Sequence, residues 1–300
     1  MSNKPKYNDV RMFMGTRVPE NAIEIALAGA ENGNQNVAQQ ISLNVIPTPA
    51  IAVDTPENYV ILSAGRYGNH DYPDLLIGMN RLSYDSEVEK AAQSLGLTLQ
   101  NNQQGFIGDI NWENAIKLNQ ALGNFTLPLI LGKEFIKLLR DGANGKKVYN
   151  GKGDQISSSQ LGNLYNEIVE VRDPWRAEWY DTKFTSKQTS GGFLRSGKTE
   201  WFVDYPIFEN GTLKRISESL EQCLRQDKNP GIDIDSWLNQ ATSQGLPHEN
   251  SASGSLYYWH PRNDKVAGFG AGSGGAGLVC CWGPTFSSAS LGVRAVRVKS

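Results

Sequence analysis

Six of the ten residues 268–277 are glycine, and the run GFGAGSGGAGLVCCWG over residues 268–283 alternates them with larger side chains. Gly268, Gly270, Gly272, Gly274, then Gly275, Gly277, Val279, Cys281 and Gly283 fall in one register. Ala271, Ser273, Ala276, Leu278, Cys280 and Trp282 lie between them. Successive side chains of an extended strand point to opposite faces, so this spacing predicts a strand pair that turns its larger residues inward and presents a nearly bare outer face. Each glycine in a strand costs roughly 0.5–1 kcal/mol relative to alanine, so the run calls for a cause other than stability. A close backbone contact or a glycine-rich loop is the other reading of the same spacing.

The flanks narrow the choice. GSLYYWHPRND precedes the glycines and PTFSSASLGVRAVRV follows them, ending in SLGVRAVR. Upstream, NWENAIKLNQALGNFTLPLILGKEF at 111–135 reads as a tryptophan-bearing helix, a Leu-Pro loop and a second helix. Together these segments resemble the variable proteins of diversity-generating retroelements, a branch of the C-type lectin fold related to formylglycine-generating enzymes. The resemblance spans most of residues 55–300 and is strongest at the end. It implies an α+β, elaborated C-type lectin fold with a mixed antiparallel sheet and peripheral helices. It further implies a closing strand that anchors the variable segment to the core.

In that family, error-prone reverse transcription at template adenines rewrites chosen codons, often AAC. Trp, Lys, Gln, Glu and Met cannot be reached that way, whereas every residue of the sparse register can, as can Phe286 and Ser288. Trp282, which cannot, falls in the other register. The resemblance therefore implies variable, ligand-facing positions within about 257–290: Tyr258, His260, Asn263, Gly268, Gly270, Gly272, Gly274, Gly275, Gly277, Val279, Cys281, Gly283, Phe286 and Ser288. Ala276, Leu278, Cys280, Trp282, Leu291 and Arg294 are expected to form the scaffold, and Tyr257 and Trp259 to stand at the rim.

Composition sets outer bounds. The chain is 39% hydrophobic and 20% charged, with a formal charge of −2, which suits a globular chain and offers no general basic footprint for nucleic acid. The N-terminus MSNKPKYNDVRMF has no apolar h-region, and nothing in the sequence approaches a membrane span, so neither a signal peptide nor membrane insertion is expected. Three cysteines, two of them adjacent, do not make a disulfide framework, and synthesis in a reducing cytoplasm is expected. Display on a virion or cell surface fits the resemblance.

Residues 1–54 form a segment of unclear role, with a helix expected over Glu20–Ala30, and residues 55–300 form the lectin-like domain. A strand is expected at 58–66, then a turn region through Pro73. Helical stripes follow at Trp112, Ile116 and Leu118, and at Phe135, Leu138 and Leu139. A polar loop is expected over 141–155 and a helix near 160–171 capped within Ser157–Ser159. Pro174 is expected to open a helical turn carrying Trp175 and Trp179 into the core. Residues 199–208 read as a strand and Ser217–Arg225 as a short helix. Asp235 or Ser236 reads as the cap of a helix around Trp237.

Rival motifs lack their context. Gly192, Gly197, Lys198 and Thr199 satisfy a phosphate-loop pattern, yet a polar segment precedes them and a strand-like one follows, where the mechanism needs an apolar strand and then a helix. Gly270, Gly272 and Gly275 spell a dinucleotide fingerprint that runs into LVCCW and Pro284 rather than a helix. His70, His248 and His260 stand apart from other ligands in the sequence, NGKGDQIS reaches Leu161 where a calcium loop needs Glu, and the cysteines have no local activator. No metal or cofactor is therefore expected. The reading is a non-enzymatic binder of a protein or cell-surface ligand, with no nucleic-acid partner and with oligomerisation left open. A nucleotide-binding enzyme using Gly192 to Thr199 and a fixed-sequence phage or surface structural protein are the alternatives.

Overall fold

A computed structural model of the chain describes residues 12–13, 16–17, 55–102, 105–189 and 198–299. The expected helix Glu20–Ala30 and the glycines of the phosphate-loop pattern lie outside the described residues. The described part is mixed α+β, with mostly antiparallel pairing. Among the described residues no helix is long and apolar enough to cross a membrane.

The first elements are a short pair, β1 (Met12–Phe13) and β2 (Thr16–Arg17), then β3 (Tyr59–Leu62), β4 (Gly65–Tyr67), β5 (His70–Tyr72) and β6 (Leu75–Arg81). Helices occupy the middle: α1 (Ser86–Ser94), α2 (Trp112–Ala121), α3 (Leu129–Ala143) and α4 (Ser158–Val169), with β7 (Gln100–Asn101) and β8 (Ile107–Gly108) between the first two. Asn111 caps α2 and Ser157 caps α4, each side chain accepting from the backbone N–H three residues on. The apolar stripes expected at Trp112, Leu118, Phe135 and Leu139 are buried as read.

Strands then dominate: β9 (Arg176–Gln188), β10 (Thr199–Glu209), β11 (Thr212–Ser219), β12 (Lys228–Ile232), β13 (Leu256–Trp259), β14 (Lys265–Gly272), β15 (Gly275–Trp282), β16 (Leu291–Gly292) and β17 (Arg294–Val298). One helix, α5 (Ile234–Gln240), interrupts them, and Asp233, rather than Asp235 or Ser236, caps it by accepting from Ser236 N at 2.7 Å. The main sheet runs β11-β10-β9-β14-β15-β13-β12, with β16 joined to β9. A smaller sheet, β17-β6-β3, brings the closing strand beside the first strands of the 55–300 region.

Two expectations fail here for local reasons. Ser217–Ser219 ends a strand, not a helix, because Asn210 and Gly211 both take positive φ (53° and 75°) and form the two-residue turn that returns the chain against β10. Pro174 precedes strand β9 instead of opening a helix. The core placement of the tryptophans survives, since residues four apart share a face at either period: Trp179 is buried, and Trp175 is half-buried against the same cluster.

The main sheet is covered on both faces. On the first face Phe269, Ala271, Ala276, Leu278 and Cys280 join the larger core with residues of α3, α4 and α5, where Trp237 stacks on Phe269 at 5.8 Å. On the second face Val266, Val279, Ala177, Trp179 and Trp282 pack with residues of α1 and α2. The outer face that the glycine alternation predicts is therefore an interior face.

Candidate functional site

Cross-strand partners share a face, so Gly268↔Val279, Gly270↔Gly277 and Gly272↔Gly275 all lie on the second face. Gly268, Gly270, Gly272, Gly275, Gly277 and Val279 are buried, which corrects the expectation that they form an exposed, exchangeable register. At Gly268 and Gly270 the cause is close approach. A Cβ at Gly268 would stand 2.2 Å from the Trp282 ring, and one at Gly270 would stand 2.8 Å from both Ala177 Cβ and Arg176 O. Gly275 has φ +125°, a conformation that side chains disfavour, and faces the Tyr257 ring. Tyr258 is likewise buried, with its hydroxyl donating to Leu224 O at 2.9 Å.

Trp282 reaches Gly268 through an irregularity that periodicity does not show. Val266 pairs with Trp282 and Gly268 with Val279, so β15 spends one more residue than β14 between the two pairs. That bulge carries Trp282 off the face of Leu278 and Cys280 and onto the opposite one. There its ring stands edge-on to Trp179 at 5.3 Å. Trp282 is thus buried scaffold as expected, but on the other side of the sheet.

The scaffold converges on Glu178. Arg294 donates to its two carboxylate oxygens from Nε (2.9 Å) and Nη2 (3.3 Å), and from Nη1 to the carbonyls of Gly78 (2.7 Å) and Met79 (2.6 Å). Arg176 adds a contact to Glu178 at 3.4 Å and pairs with Glu167 at 3.0 Å. Burial would push the Glu178 carboxyl up, but Arg294 and Arg176 outweigh it and hold the group down at about 2. One side chain of the closing strand thereby locks the small sheet to the centre of the large one. Leu291 is fully buried on β16, which pairs with β9.

The remaining expected positions reach solvent, most of them at one end of the sheet, where β13 ends, β14 begins and β15 runs out. His260, Cys281, Gly283, Phe286 and Ser288 are half-buried. His260 is fixed by Asp227, whose carboxylate accepts from the backbone N–H at 3.0 Å and lies 2.6 Å from Nδ1. Arg262 donates to the other Asp227 oxygen at 2.7 Å. Trp259 stacks on Tyr257 at 5.8 Å with an interplanar angle of 20°. Phe286 lies 6.2 Å from the Trp282 ring, and the loop beyond is held by Asp109 N donating to Ser288 O and by Ser287 Oγ donating to Asp109 Oδ1, each at 2.7 Å. Asn263 is exposed, but its side-chain oxygen accepts from Ser186 N at 2.7 Å and so serves the backbone. Gly274 sits apart, in the turn between β14 and β15.

Burial raises all three thiols. Cys223 and Cys281 are pushed up to about 11 and Cys280 well above its ordinary value, so none is a ready thiolate near neutral pH. Asp227 and Arg262 escape a reading of the sequence because the pairing joins segments 33 or more residues apart and follows no local spacing. Thr199, the last residue of the phosphate-loop pattern, opens β10, so a strand stands where that mechanism needs a helix N-terminus. No protein-family model, curated protein or solved structure matches the chain.

Proposed function

We propose that the chain is a non-enzymatic ligand-binding protein of an elaborated C-type lectin fold. Its ligand face is the sheet end formed by His260, Arg262, Cys281, Gly283, Phe286 and Ser288, with Trp259 beside it. The carrying observation is the division within residues 257–290: strand interiors are locked between two cores, while these positions reach solvent on a backbone held by Asp227, Asp109 and the Arg294–Glu178 contact. Side chains at His260, Arg262, Gly283 and Ser288 can change there without entering the core, while Cys281 and Phe286 vary at the margin of the second core, against which they pack. The closing strand bearing SLGVRAVR, paired against β6, supports the family resemblance. Adenine-directed diversification would then act on this sheet end rather than on the glycines.

The test is a pair of libraries built with codons reachable from AAC. Randomising His260, Cys281, Gly283, Phe286 and Ser288 should leave most members folded and yield binders to unrelated proteins on selection. Randomising Gly268, Gly270 and Gly277 should leave few folded members. Equal tolerance in both libraries, or no binders from the first, counts against the proposal.

A second reading is favoured by one observation. The glycines at 268 and 270 are explained by packing alone, which suits a fixed-sequence structural or assembly protein.

A further inference from the structure

β11 forms one edge of the main sheet, and its register with β10 is unbroken from Phe202↔Ser219 to Glu209↔Thr212. Leu220 N donates to Trp201 O at 2.8 Å, and bonding alternates along an antiparallel pair. Thr212, Lys214, Ile216 and Glu218 therefore turn their backbone groups towards β10, while Leu213, Arg215, Ser217 and Ser219 turn theirs outward. Pro206, which has no N–H to give, stands opposite outward-facing Arg215, as this alternation requires. Gln244 Nε2 donates to Ser219 O at 2.8 Å; among the described residues no strand pairs with the outward groups of Leu213, Arg215 and Ser217. The opposite edge, β12, carries a register break, a device that blunts an edge, and β11 has none.

One face of β11 reads Lys214, Ile216, Glu218: positive, apolar, negative. An antiparallel copy related by a two-fold axis through Ile216 would set Lys214 opposite Glu218 on both sides and Ile216 opposite itself. The registers centred one residue to either side set Arg215 against Arg215 or Ile216 against Glu218, both unfavourable. We propose that β11 pairs with β11 of a second copy of this chain in the Ile216-centred register, joining two main sheets into one. Lys214 pairs with Glu209 at 2.8 Å in the single chain, both side chains being well exposed, so it can exchange that partner at little cost. Glu218 already accepts from Tyr205 Oη at 2.6 Å and Gln244 Nε2 at 2.9 Å through Oε1, so Lys214 of the copy would meet its Oε2, which lies 3.6 Å from His70. The inference stands independently of the ligand face.

Sedimentation velocity on the full chain over a wide concentration range tests it. The wild-type chain should pass from monomer to dimer. Ser217→Pro removes an outward N–H while leaving the β10 ladder intact, and should weaken association by at least about tenfold with an unchanged melting curve. Lys214→Glu, at a side chain that is well exposed in the single chain, should weaken it as well, its fold being checked by circular dichroism. A wild-type chain that stays monomeric throughout, or a Ser217→Pro chain that dimerises like wild type, overturns the proposal.

Discussion

The Trp282 ring fills the space that a side chain on Gly268 would need: a Cβ there would stand 2.2 Å from Cζ3. Gly268→Ser should therefore destabilise the fold by about 1–3 kcal/mol through overpacking. At Gly283 a Cβ meets nothing within 4 Å, so Gly283→Ser should stay within about 0.5 kcal/mol of the parent. Paired urea melts of the two variants check both.

Glu178→Gln leaves Arg294 and Arg176 buried beside a neutral group, and the expected loss is about 3–5 kcal/mol. The carboxyl is held at about 2 in the folded chain, below its ordinary value of 4.5. A depressed carboxyl contributes stability that is fully present above its unfolded pKa and is lost as pH falls through the folded one. Stability should therefore decline between about pH 4.5 and pH 2, and this part of the decline should be missing in Glu178→Gln. Chemical melts across that range read the difference.

Asp227→Asn should change stability by less than about 1 kcal/mol, because the cluster with His260 and Arg262 is partly exposed. It should nevertheless free the His260 ring from its fixed orientation. An unchanged melting temperature with shifted His260 imidazole resonances is the expected pair of results.

The thiols should be slow to react. With Cys223 and Cys281 raised to about 11 and Cys280 higher still, an alkylating reagent at neutral pH should label the native chain far more slowly than the unfolded one. Mass spectrometry of timed samples in buffer and in denaturant gives the ratio, and native labelling should start at half-buried Cys281.

Much of the fold is legible in the sequence where one signal dominates. The stripes of α2 and α3, the Ser157 cap and strand β10 follow from spacing, and the tandem Trp175 and Trp179 reach the core because four residues return to the same face in a helix or a strand. The glycine register misleads because alternation tells that two faces differ, not that one is wet. Here the second face is covered by a tryptophan that a bulge at Cys280 and Cys281 has moved across the sheet. β11 is missed because the Asn210-Gly211 turn outweighs a helix-like run of Ser, Glu and Leu. The Asp227–His260–Arg262 cluster depends on β12 and β13 meeting, which no local pattern encodes.

Under the proposed function, side chains vary at the sheet end while the glycine strands stay fixed. The most direct test is to sequence the DNA encoding residues 257–290 together with the few kilobases around it. The expected result is a near-copy of this segment beside a reverse transcriptase gene, differing from the coding copy at adenines, with the differences gathered in the codons for His260, Cys281, Gly283, Phe286 and Ser288. The absence of any near-copy, or a copy whose differences fall on Gly268 and Gly270, would contradict it.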